Sequence, residues 1–154
     1  MSEYQPRGLY FEDLTPGLKV TSAGRTISEA DIMHFAGLSG DWNPIHVDAE
    51  YAKTSLFGER VAHGLLGLSI ATGLAMQLGF LDRTVEAFTS LEWKFRAPIK
   101  IGDTIHMTAE VTKTRAVGQG GGFVTFNVTV KNQRDETVQR GEWMLVVKGR
   151  PKTE

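Results

Sequence analysis

The sequence predicts an α+β fold in which a curved antiparallel β-sheet wraps around one long central helix. Two observations carry this. Residues 64–81 are apolar on most sides of a helix, and Gly67, Ser69, Ala71 and Gly73 are small enough to let a sheet approach closely. After them, residues 86–95, 104–114, 122–131 and 138–147 are rich in β-branched and aromatic side chains, with plain alternation from Phe123 to Val130. One buried helix followed by a run of strands with short turns is an α+β pattern.

The elements follow in order. Residues 1–16 are a mixed lead-in holding Tyr10 and Phe11, and residues 19–27 read as a short strand. Ser28 stands where a helix N-cap belongs, and Glu29 and Asp31 in the first turn suit the helix dipole. Ile32, Phe35, Ala36 and Leu38 keep a helical spacing until Gly37 and Gly40 end it. A loop over 39–46 follows, in which Pro44 biases Asn43 away from helical geometry. Residues 48–53 predict a short polar helix, and Gly58 and Gly64 flank a second loop before the main helix. Ala97-Pro98 with Ile101-Gly102-Asp103, residues 118–122, and residues 134–136 mark the turns between strands. A sheet with one face on a helix keeps an edge free for pairing, so a homodimer is expected.

Size and composition narrow the function classes. The 154 residues suit one domain spanning 1–154. A net charge of −1 supplies no overall field for nucleic acid or an anionic membrane, so neither partner is expected. The absence of cysteine excludes disulfides, thiolate catalysis and Cys-ligated metals, and fits a cytoplasmic location. The start, Met-Ser-Glu-Tyr-Gln-Pro-Arg, lacks an apolar signal core. The stretch 64–81 is interrupted by Gly, Ser, Thr and Gln and is marginal against the roughly 20 apolar residues of a membrane span.

Asp41 and His46 are the residues with chemistry to offer. At a separation of five they would point apart on a helix and to opposite faces on a strand, but a Gly- and Pro-shaped loop can bring them together. A carboxylate and an imidazole sharing one water supply a group to remove a proton and a group to give one. By spacing alone, a loop-capping Asp41 and a surface His46 are the favoured reading. Asn43 and Pro44 by themselves are ordinary turn chemistry. Val61-Ala62-His63-Gly64-Leu65 precedes the main helix, whose free N–H groups and positive dipole end would polarise a carbonyl. Gly64 allows close approach to that backbone, or serves as a hinge. His63 suits helix entry better than direct catalysis. Residues 118–122 lack the Lys-Ser/Thr ending of a phosphate loop and lie between strands, which favours a hairpin tip. His34 and His106 show no metal-ligand partner at suggestive spacing.

Phe35-Ala36-Gly37-Leu38-Ser39-Gly40-Asp41-Trp42-Asn43-Pro44-Ile45-His46-Val47-Asp48, with Tyr51-Ala52, resembles the hydratase motif of the MaoC-like, (R)-specific enoyl-CoA hydratase family. Phe57-Gly58-Glu59-Arg60-Val61-Ala62-His63-Gly64 resembles that family's entry to its central helix. The resemblance extends over nearly the whole chain. It implies a single hotdog domain that pairs as a homodimer, or a higher oligomer of dimers, and acts on an acyl-CoA thioester. Asp41 and His46 would be the water-activating dyad and the Gly64 amide the oxyanion donor. Asn43 would support the dyad, Thr72 would be the small hydroxyl residue facing it, and His63 would belong to the substrate-binding set. No metal or redox cofactor is implied; coenzyme A enters as part of the substrate. The chain departs from many relatives at Ala49, where they carry Pro. The same fold hosts thioesterases and non-catalytic acyl-CoA-binding modules, so both stand as alternatives to hydration of a 2-enoyl-CoA to the (R)-3-hydroxyacyl-CoA or its reverse. Which member of the dyad acts first as base is left open by the sequence.

Overall fold

Side-chain alternation sets the sheet. The computed structural model describes residues 6–118 and 120–153; the first residues of the lead-in, 1–5, and Gln119 in the glycine-rich turn lie outside the described residues. Strands β1 (Lys19–Thr21) and β2 (Arg25–Thr26) both pair with β4 (Thr104–Ala116). Strand β4 pairs with β5 (Gly122–Lys131), β5 with β6 (Thr137–Val147), and β6 with β3 (Val85–Phe95), all antiparallel. The sheet has six strands in the order β1-β4-β5-β6-β3, with β2 also on β4. Register shifts at Phe88/Ser90 and Val111/Lys113 are the kind of irregularity that bends and twists a sheet.

The inner face of this sheet carries Met107, Ala109, Val111, Val124, Phe126, Val128, Trp143 and Leu145, which share one core with Leu66, Ala71, Leu74 and Ala75 of helix α4 (Gly64–Gln77). Gly67 sits where that helix meets the sheet most closely: a Cβ there would lie 2.4 Å from Gln139 Nε2 and 2.7 Å from Ile99 Cδ1. A sheet curved around a central helix is the hotdog arrangement that the resemblance implies.

Among the described residues, a 3-10 turn (Phe11–Asp13) and three shorter α-helices precede α4. Helix α1 (Glu29–Ser39) opens with a capping box, the Ser28 hydroxyl accepting from Asp31 N and the Asp31 carboxylate accepting from Ser28 N. It closes on Gly40, whose φ of +78° ends it in the left-handed conformation that glycine adopts without strain. Helices α2 (Pro44–Val47) and α3 (Ala49–Ala52) are one turn each, capped by the side chains of Asn43 and Asp48. Among the described residues, no helix is long and apolar enough to cross a membrane.

The structure corrects several expectations. The segment 19–27 is two strands separated by Ser22-Ala23-Gly24 rather than one. The stretch 39–46 is not loop throughout: Pro44, pre-set for a first helical position, starts α2 with His46 inside it. The main helix stops at Gln77 instead of continuing to Leu81, because Gly79 takes φ +79° and turns the chain. Nor is that helix buried all round. Leu65 and Met76 are 59% and 46% exposed, since the sheet covers one side of it only. Trp143 lies in the core, whereas Phe95 is 55% exposed at the end of the edge strand β3.

Candidate active site

Each side chain of the candidate site is placed by a local backbone device. Beyond Gly40, Asp41 N donates to Ser39 Oγ (3.1 Å) and Asn43 N to Asp41 Oδ1 (3.2 Å). The Asn43 carboxamide then accepts from Ile45 N (3.3 Å), and His46 N donates to Asn43 O (2.9 Å). Asn43 is thus the cap of the turn that carries His46, an Asx-type role that needs this short side chain. Arg60 closes the turn from the other side, its Nε donating to His46 O at 2.7 Å while its guanidinium pairs with Glu29.

His46 is 7% exposed, and its Nδ1 lies 2.7 Å from the Val61 carbonyl. A carbonyl only accepts, so Nδ1 carries the hydrogen and Nε2 of the neutral ring keeps a free lone pair. Burial pushes the imidazole below its usual 6.5. The Val61 bond opposes that shift, the neighbouring His63 reinforces it, and Asp41 opposes it again.

His63, 2% exposed, caps α4 and sets its ring against His46, with centroids 3.8 Å apart and planes at 26°. Its Nε2 lies 2.9 Å from the Asp41 backbone carbonyl. Polar side-chain atoms of Asp41, His46 and His63 lie within 4.8 Å of one another. This donor set also has the composition of a metal site, but its geometry does not suit one. Imidazole lone pairs lie in the ring plane, and two stacked rings have planes that meet far beyond the roughly 2.0–2.1 Å of a metal–imidazole bond.

Gly64 is the first residue of α4, where backbone N–H groups lack intrahelical acceptors. A Cβ on Gly64 would lie 2.6 Å from the Phe95 ring, so strand β3 ends against the same spot. The structure therefore brings Asp41, Asn43, His46, His63 and Gly64 to one place. Thr72 is not joined to them by any hydrogen bond among the described residues; its hydroxyl donates to Ser69 O of its own helix.

Sequence reasoning missed Gln139 and the role of Trp93. Gln139, 2% exposed on β6, donates from Nε2 to Gly64 O (3.0 Å) and accepts from Trp93 Nε1 (3.0 Å). The indole N–H can only donate, so it fixes which end of the carboxamide faces the helix. The one signal in the sequence was a carboxamide within an otherwise apolar strand position beside Val138.

Residues 13–134 match the family described as MaoC like domain. The chain is 41% identical over 142 residues to the (R)-specific enoyl-CoA hydratase of Rhodospirillum rubrum, covering 92% of this chain and 93% of that one. Among solved structures, it is similar to a monoamine oxidase regulatory protein from Archaeoglobus fulgius, with a TM-score of 0.89 at 36% identity over 96% of this chain and 99% of that one. It is also similar to the MaoC-like dehydratase from Rhodospirillum rubrum, with a TM-score of 0.87 at 32% identity over 94% of this chain and all (100%) of that one. A helix-wrapping sheet, a buried histidine with a free Nε2 beside Asp41, and a family match over most of the chain lead to one conclusion: the protein belongs to the MaoC-like domain family.

Proposed function

We propose that the protein adds water to a 2-enoyl-CoA to give the (R)-3-hydroxyacyl-CoA, or runs the reverse dehydration, with Asp41 and His46 as its acid–base pair. The observation that carries this reading is the tautomer of His46. With Nδ1–H held by the Val61 carbonyl, Nε2 is free to take a proton from water. The water donates its other hydrogen to the Asp41 carboxylate. As the hydroxyl adds to C3, the charge moved onto the thioester oxygen is stabilised by the Gly64 N–H at the positive end of α4. The resulting imidazolium, balanced by Asp41, returns its proton to C2. Water is the only co-reactant, and coenzyme A enters as part of the substrate. On this reading the protein is cytoplasmic, a location that its cysteine-free composition fits.

The test is a spectrophotometric assay with crotonyl-CoA that follows loss of enoyl-thioester absorbance. Loss without release of free thiol is the expected result. Thiol release with an intact double bond would identify a thioesterase. Binding without turnover, across a panel of longer and branched enoyl-CoAs, would identify an acyl-CoA-binding module.

The lowered pKa of His46 gives a pH prediction. A folded-state value below 6.5 means that the unfolded chain binds more protons as the pH falls, so this residue's contribution to stability declines from about pH 6.5 downward. The groups facing it are His63, the Asp41 carboxylate and the Val61 carbonyl. The acid limb of kcat/KM, which reports the free enzyme, is expected below pH 6.5. An acid limb above that value would remove His46 as the base.

The reading includes a homodimer. Strand β3 is an edge strand of 11 residues, exposed along most of its length, with Phe88, Leu91 and Phe95 at 41%, 46% and 55%. An unpaired edge of this length is a template for a second copy related by a two-fold axis. Leu91→Lys is expected to shift the mass measured by light scattering from dimer to monomer. A wild-type monomer at working concentration would refute the dimer.

A further inference from the structure

We propose that His63 is a positioning residue for the dyad: its Nε2–H holds the Asp41 backbone carbonyl while its ring braces His46, so that both dyad side chains stay within reach of one water. The proposal rests on the hydratase reading for its catalytic consequence only. Asp41 is exposed, and its other hydrogen bonds are made with Ser39 and Asn43 in its own turn. The bond from His63 ties that turn to a segment 22 residues away. That segment is itself fastened to the frame, with Val61 N donating to Ile45 O, Ala62 N donating to Ile99 O, and Val61 bridging to Lys100.

The ring matters as well as the donor. It lies between Phe35, at a centroid distance of 4.8 Å, and His46, at 3.8 Å. At 2% exposure it sits behind the dyad rather than on a substrate-facing surface. A phenylalanine would fill this slot without donating. A glutamine would donate from nearly the place of Nε2 without stacking. Imidazole does both, and its Nδ1, which has no hydrogen-bond partner among the described residues, takes no part in either.

The test compares His63→Phe with His63→Gln in the full chain, reading steady-state kinetics on crotonyl-CoA and amide hydrogen exchange at residues 41–43. His63→Phe is expected to lower kcat about 10²-fold, the cost of a small misplacement of reacting groups, with KM little changed. Exchange at 41–43 should quicken while exchange in β4–β6 stays as in the wild type. His63→Gln should recover at least about a tenth of the wild-type kcat, since the donor is restored, and should slow the exchange again. Wild-type kcat in His63→Phe, or folded His63→Gln no better than His63→Phe, would overturn the proposal. If His63→Phe does not fold, His63→Leu replaces it with the same two outcomes. If the wild-type protein does not hydrate enoyl-CoA, the hydratase reading fails on its own. The exchange comparison then decides the positioning role, and equal exchange at 41–43 in all variants overturns it.

Discussion

Asp41→Asn and His46→Gln are each expected to lower kcat on an enoyl-CoA by about 10²–10⁴-fold, the usual contribution of a positioned acid–base group. Asn at position 41 keeps an oxygen for the 3.2 Å bond from Asn43 N, so the turn is preserved while the negative charge is lost. In the proposed mechanism that charge balances the imidazolium formed when His46 takes the proton of water. Gln at position 46 offers no basic lone pair on its nitrogen. It also weakens or loses the bond to the buried Val61 carbonyl, which costs about 1–3 kcal/mol if left unmade. The two variants thus differ in stability but agree in turnover. Steady-state kinetics with circular dichroism on both proteins checks this, and near-wild-type turnover in either folded variant would sink the dyad assignment.

Gly67→Ala is expected to damage both stability and turnover without touching the dyad. The added Cβ would lie 2.4 Å from Gln139 Nε2 and 2.7 Å from Ile99 Cδ1, and those residues are only 2% and 3% exposed. Neither has free space to retreat into. Overpacking of this kind costs about 1–3 kcal/mol, and alanine's better helix propensity recovers at most about 1 kcal/mol of it. The strain falls on the carboxamide that holds Gly64 O at 3.0 Å, so relief of the clash displaces the first turn of α4 and the Gly64 amide proposed as oxyanion donor. Loss of one such donor is worth about 10²–10³ in kcat. A chemical-denaturation midpoint below that of the wild type, with kcat reduced, is the expected pair of results. An unchanged midpoint would mean that the helix and sheet tolerate a wider spacing than the structure shows.

Where structure is local, the sequence was a good guide. Strand β5 occupies residues 122–131 as its alternation predicts, and the capping box at Ser28 and Asp31 starts α1 at the expected place. Both depend on neighbours a few residues away. The expectation failed where a local rule competed with another. Pro44 opposes helix at Asn43 but favours it from its own position onward, and the second effect created α2. The apolar periodicity of 64–81 gave no warning that Gly79 would turn the chain, since glycine is tolerated inside many helices.

The candidate site divides in the same way. The residue types at 41, 43, 46, 63 and 64 were legible because the motif is contiguous in two short runs. The contact between those runs was not, because it requires the chain to fold back so that His63 meets Asp41 and Val61 meets His46. Gln139 and Trp93 were invisible as site residues, since each acts across strands far apart in sequence.

By itself, then, the sequence determined the α+β class, most strand positions, the start of α1 at Ser28 and its stop at Gly40, and the two short runs that hold the proposed dyad and the helix entry, all of them consequences of side-chain periodicity and near-neighbour hydrogen bonding. Only the tertiary structure decided which nitrogen of His46 is free, which bond ties the Asp41 turn to the frame, and what holds the first turn of α4 against the sheet. A proton's place on an imidazole depends on which acceptor lies beside the other nitrogen, and that acceptor, the Val61 carbonyl, comes from a segment that folding alone brings there.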